Sequence, residues 1–266
     1  MFAPDGQGRT RLIRLMQRQP LRVLQPHVAR DDLRQAVLIN TGGGVVGGDR
    51  LRVRVSVATG GRALVTSQAA EKVYRSKGAA ACLSTALSVG AGAWLEWLPQ
   101  ETILFDRSRL DRKLAIDVAP GGRGLFGETL VFGRTASRET LGDVHLRDHW
   151  RVRLDGRLIW ADGFGLGEDV TDRLADPFGL AGARAMATAL HVAADAPSRL
   201  PLARAILAEG GDPGCRAAAT SMPGVLLVRW LGADAAAVRR SFGAFWSGFR
   251  SVVERLPAEM PTVWRI

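Results

Sequence analysis

The segment Asn40 to Leu51, NTGGGVVGGDRL, follows the apolar run Ala36-Val-Leu-Ile39 and contains Gly42-x-Gly44-x-x-Gly47, the spacing of a dinucleotide-binding loop. That chemistry needs a helix directly after the third glycine, because the pyrophosphate rests on the helix N-terminus. The segment runs instead into Leu51-Arg-Val-Arg-Val-Ser-Val57, alternating apolar and polar at every step, which predicts a strand. A phosphate-cradling P-loop is excluded as well, since Asp49 stands where that motif requires lysine. The glycines therefore predict a tight turn between strands, using positive φ and close backbone approach. Asp49 then falls at a strand entrance, where its carboxylate can pair with an arginine or hold a cation.

The remaining reactive side chains form no catalytic constellation. Cys82 and Cys215 lack metal-ligand spacing and make no disulfide framework. The histidines are His27, His145, His149 and His191. His145 and His149 are four apart, as on one face of a helix, but they lie just before a strand, so a structural or surface role is expected. A hydrolase working through Asp49, Glu128 and Asp162 stays open, because acid/base catalysis needs two carboxylates in unequal environments across one pocket, which sequence does not show.

The elements that must position these groups are mostly strands. Leu83, Thr85, Leu87 and Val89 alternate in the same way, as do Leu114, Ile116 and Val118. Val152 and Leu154 precede Asp155-Gly156, with Leu158 and Trp160 after it, which predicts a two-residue hairpin. Glycine-bearing breaks recur at Gly60-Gly61, Gly90-Ala-Gly92 and Gly121-Gly122. Helix is expected from Leu202 to Glu209, and from an N-cap at Asp234 through the stripe Val238, Phe242, Phe245, Phe249 and Val253, with Pro257 ending it. The expected fold is mainly β: many short antiparallel strands in an elongated sheet or β-helix-like body, with about two helices in the C-terminal third. Residues 1–266 are expected to form one domain.

The chain carries a net charge of +10, nearly all from arginine, since Lys72, Lys77 and Lys113 are its only lysines. Arginine suits bidentate contacts to carboxylate or phosphate, which points to an acidic protein partner or to nucleic acid. No basic-aromatic cluster or recognition-helix pattern supports nucleic acid, which remains only as an alternative. The first twenty residues have no uninterrupted apolar core and no apolar run nears the length of a membrane span, so neither a leader nor a membrane is expected, and the expected compartment is the cytoplasm.

NTGGGVVGGDRL, then Ala63 to Ser76 (ALVTSQAAEKVYRS) and Ala93 to Phe105 (AWLEWLPQETILF), closely resemble the urease accessory protein family UreD, also called UreH. Phe132-Gly-Arg134, Gly179-Leu-Ala-Gly182, Pro223 to Arg229 (PGVLLVR) and the closing Trp264-Arg-Ile266 extend the resemblance from about residue 10 to the C-terminus. The resemblance implies a mainly β scaffold with no catalysis of its own. Its implied partners are UreF, the GTPase UreG and apo-urease, and its implied task is nickel delivery, with an internal passage as the route. No tightly bound cofactor is implied, only nickel in transit.

A transit site needs ligands weak enough to release the ion, so scattered carboxylates suit it better than a closed His/Cys cluster. Family positions matching Asp49, Glu128 and Asp162 are commonly acidic, and Glu139 follows more distantly. Here Arg138 stands where the family often has glycine in Gly133-Arg-Thr-Ala-Ser-Arg-Glu139, which bears on the placement of Glu139. Lys72, Tyr74, Arg75 and Glu101 are the candidate partner contacts, while Trp94 and Trp97 are expected in packing.

Overall fold

The computed structural model describes residues 1–29, 31–134, 137 and 139–265. The chain opens with β1 (Phe2–Pro4), β2 (Thr10–Leu12) and β3 (Leu21–Leu24). Next come β4 (Arg34–Asn40), β5 (Arg50–Val57), β6 (Arg62–Ser67), β7 (Glu71–Val73), β8 (Ala81–Val89) and β9 (Trp94–Leu98). They are followed by β10 (Thr102–Leu104), β11 (Arg109–Val118), β12 (Arg123–Phe132) and β13 (His145–Leu154).

From β4 to β13 the chain coils between two walls. Strands β5, β8, β11 and β13 form the first wall and β4, β6, β9 and β12 the second, with neighbours parallel throughout. The body is thus mainly β and solenoid-like, as expected, but the pairing at its centre is parallel rather than antiparallel. The reason is geometric: each coil crosses to the opposite wall and returns to its own in the same direction. Alternation in sequence reports which face of a strand is buried and is silent about its neighbour's direction.

Among the described residues antiparallel strand pairing lies at the ends, apart from the isolated bridge between Arg75 and Ser108. It joins β1 to β2, β3 to β4, and β13 to β14 (Arg157–Leu166) through the hairpin at Asp155 and Gly156, both with positive φ (52° and 72°). It also joins β12 to β15 (Ala185–Val192), and β17 (Val225–Gly232) to both β15 and β16 (Cys215–Met222).

The glycine breaks are the solenoid's stacked corners. A Cβ on Gly90 would lie 2.6 Å from the Thr59 nitrogen, and one on Gly122 would lie 2.6 Å from the Gly90 carbonyl oxygen. Nothing larger than glycine fits where one corner sits directly on the next. The longer returns stack on a third side, where Val45 bridges Val73, and Val73, Leu104 and Phe132 align in one row.

Among the described residues three α-helices follow the coil: α1 (Val170–Ala175), α2 (Leu200–Glu209) and α3 (Ala235–Glu254). The Asp234 carboxylate caps α3 by accepting from the amides of Ala236 (2.9 Å) and Ala237 (3.3 Å). The stripe of α3 buries Phe242, Phe245 and Phe249 against Trp94 and Trp230 on the outer face of the second wall. Each such side chain contributes about 1.5–3 kcal/mol of burial. The molecule therefore has three layers: first wall, second wall and helices. Neither α2 nor α3 covers the outer face of the first wall. Among the described residues no helix is long and apolar enough to cross a membrane.

Candidate functional site

Between the two walls, beneath the glycine loop, lies a cavity of about 200 Å³. Leu51, Val53, Leu83 and Trp97 give it apolar sides, and Asn40, Glu71, Thr102, Arg112 and Glu128 give it polar ones. It meets the surface beside Gly43 and Lys72, both exposed.

Glu128 is turned into this space by the phase of β12, which sends Phe126, Glu128 and Leu130 toward the opposite wall. Facing it are Arg112 and Asp148, register partners on β11 and β13. Arg112 grips Asp148 through two nitrogens (3.0 and 2.6 Å) and reaches Glu128 Oε2 with Nη1 at 2.7 Å. Trp97 Nε1 donates to Glu128 Oε1 at 3.2 Å. Two buried carboxylates thus share one guanidinium. Burial pushes the Glu128 carboxyl up to about 7 and Asp148 adds to this, while Arg112 only partly opposes it. Burial works against the Arg112 charge too, yet its two carboxylates outweigh that and hold it above the ordinary arginine value. Near neutral pH Glu128 therefore stands close to the point where it gains or loses its proton.

Glu71 forms the second acidic point. Burial raises its carboxyl above the usual range; the Asn40 amide, donating to its Oε1 at 2.9 Å, opposes this, and the Asp49 charge adds to it. Asn40 Nδ2 also donates to the Gly44 carbonyl at 3.0 Å, tying the glycine loop to the cavity wall. Asp49 closes that loop by accepting from the Val46 amide at 2.9 Å. The role of the glycines is settled by their neighbours: a Cβ on Gly44 would lie 2.5 Å from the Tyr74 ring and 2.6 Å from the Lys72 carbonyl oxygen. They let the loop lie flat on the next coil, and the chain continues into β5 rather than a helix.

The model of the UreD urease accessory protein family matches residues 2–265. The chain belongs to the UreD family. Relatives named urease accessory protein UreD include one from Magnetococcus marinus, 43% identical over 97% of this chain and 90% of its own length. Another, from Azorhizobium caulinodans, is 40% identical over 97% of this chain and 92% of its own. A third, from Brucella suis, is 43% identical over 88% and 82%. Membership indicates a role in urease maturation.

In this UreD-family chain the residues expected from sequence divide in two. Glu128 and Lys72 line the cavity, Asp49 lies next to it, and Tyr74 anchors the loop by donating from its hydroxyl to the Gly43 carbonyl at 3.1 Å. Lys72 and Arg75 are exposed and form no ion pair among the described residues. The others are taken up by arginines and do not themselves line the cavity. Asp162 pairs with Arg229 across the walls, and Glu101 with Arg239 of α3, itself stacked over Trp264 at 4.3 Å. Glu139 receives a fork from Arg134 (3.2 and 3.0 Å), whose hydrogen bonds hold its carboxyl below the usual range. Arg138 lies outside the described residues, as does Ile266.

His145 and His149 are on strand β13, not on a helix, and His145 Nε2 is 3.3 Å from Asp111. Among the described residues no three His, Cys, Asp or Glu side chains cluster as a metal site. Sequence reading missed Arg112, Asp148 and Glu71. For the first two a signal existed: both stand on the apolar phase of their strands, in Leu110-x-Arg112-x-Leu114 and Leu146-x-Asp148-x-Trp150.

Proposed function

We propose that this chain is the subunit of the urease maturation machinery that holds UreF and UreG against apo-urease and offers nickel a route between its walls. The observation that supports the route is the inter-wall cavity with Glu128 on its inner side and Glu71 near its mouth. Nickel is cargo here, not a resident cofactor. Separate carboxylates hold it loosely, and Arg112 competes for Glu128, so the ion is not trapped. Exposed Lys72 and Arg75 beside the mouth suit a partner's carboxylates, and Asp49 adds negative charge to the entry. Against a carboxylate hydrolase stands the dispersal of its groups: neither Asp49 nor Asp162 lines the cavity with Glu128.

The test is reconstitution with cognate UreF, UreG and apo-urease, then urease activity measured after nickel, bicarbonate and GTP are added. Glu128→Ala and Glu71→Ala are expected to leave the complex intact and to lower activation about tenfold or more, the range typical of lost metal-site support. Full activation by both variants would remove the cavity from the route. Absence of any complex would remove the scaffold itself.

A further inference from the structure

The outer face of the first wall is built in rows, because its strands pair in register. One row reads Arg52, Ser84, Lys113, His149 and the next Arg54, Ala86, Ala115, Arg151. The flanking rows begin with Arg50 and Ser56 and end with Arg147 and Arg153. Along β5 the arginines project from every second residue, so exposed Arg50, Arg52 and Arg54 stand about 6.6 Å apart. A second basic ridge on β13, Arg147, Arg151 and Arg153, lies three strand spacings away, about 14 Å. Between the ridges β8 presents Cys82, Ser84, Ala86 and Ser88 on this side, and β11 presents Asp111, Lys113, Ala115 and Asp117, with Asp111 beside His145 and Asp117 beside Arg153.

This charge is not consumed internally. Among the described residues Arg153 approaches Asp117 at 4.0 Å, and none of Arg50, Arg52, Arg54, Arg147 and Arg151 forms an ion pair. The trough between the ridges has the width of an α-helix, about 10–12 Å; the small side chains of β8 and Ala115 let a backbone come close, and Lys113 adds a cation at its centre. Carboxylates spaced one turn apart on a helix, about 5.4 Å, nearly match the arginine spacing, and long side chains absorb the difference. The face shows no Trp, Tyr or Phe in these rows, so it has no stacking platform for single-stranded nucleic acid.

We propose that this face receives an acidic helix of a protein partner, laid along the strands between the two arginine ridges. The proposal rests on neither the cavity nor nickel. Its test uses the full chain and a fluorescent Glu/Ala helical peptide of about 20 residues, long enough to span the wall. Binding measured by anisotropy should weaken with salt, and the triple variant R50E/R52E/R54E should weaken it about tenfold or more. A variant of equal charge change at exposed positions away from this face, R204E/R216E/R255E, should weaken it by less than about threefold. The neutral triple R50Q/R52Q/R54Q should fall between wild type and the reversal, with unchanged circular dichroism. The proposal is overturned if the peptide does not bind, if both charge-reversal variants lose affinity alike, or if a DNA duplex of similar length displaces the peptide at lower concentration than unlabelled peptide does.

Discussion

Two buried arginines in this molecule are each caught between two carboxylates, one on either side of the second wall. On the helix side, Arg250 of α3 holds Glu96 (3.0 Å) and Asp32 (2.6 Å), and its remaining nitrogen donates to the carbonyls of Pro257 and Glu259. Glu96 is also saturated, accepting from Trp94 Nε1 at 3.1 Å and Trp246 Nε1 at 2.9 Å. On the cavity side, Arg112 holds Asp148 and Glu128, but Glu128 has one tryptophan donor and faces open space. The ingredients match while the surroundings differ. A saturated cluster fastens α3 to the wall; a cluster left short of donors beside a cavity keeps a carboxylate whose proton can be exchanged.

The largest effect should come from opening the saturated cluster. Arg250→Ala strands Glu96 at 0% exposure, and removing one partner of a buried pair costs about 3–5 kcal/mol. Urea denaturation measures that loss. Arg112→Ala should cost less, and less still as pH falls, because without its cation the Glu128 carboxyl rises further and takes up a proton. Equal losses for the two arginines at all pH values would break the distinction.

A smaller effect separates the two sides by the sign of their pH dependence. Glu128 rises from 4.5 in the unfolded chain to about 7 in the fold, so the folded state binds the extra proton. Its contribution is full below pH 4.5 and is lost as pH climbs through 7, on the order of 3 kcal/mol. His191 is the reverse: burial lowers it from 6.5 to about 4, so stability present above pH 6.5 is lost as pH falls through 4. Glu128→Gln should flatten stability between pH 4.5 and 7, and His191→Gln should flatten it between pH 4 and 6.5. Chemical denaturation across pH 4 to 8 measures both, and a Glu128→Gln profile parallel to wild type would deny the cavity its exchangeable proton.

The legibility of the sequence divides along similar lines. Period-two runs located β5, β8 and β11, the Asp-Gly pair located the hairpin, and Asp234 with the aromatic stripe located α3, because these signals are local. Parallel stacking was not legible, since it depends on which coil lies above which. Glu128 was one of several carboxylates in the sequence, and only the family resemblance set it on a metal route. Arg112 and Asp148 were readable as charges on an apolar phase, but their meeting required knowing that β11 and β13 pair in register. Glu71 carries no local mark, because its burial comes from the glycine loop folded over it.

The smallest expected effect concerns Asp162. Its partner Arg229 and its own side chain are 44% and 30% exposed, so solvent screens the pair, and such pairs contribute about 0–1 kcal/mol. Asp162→Asn should therefore barely move the denaturation midpoint. Placed in the same activation assay, it also sharpens the contrast with Glu128. A carboxylate already engaged by a surface arginine outside the cavity should be dispensable for nickel transfer, whereas one beside open space should not. If Asp162→Asn impairs activation as strongly as Glu128→Ala while the complex survives, the route leaves the inter-wall cavity and runs along the β14 edge, where Asp162 and Arg229 bridge the walls.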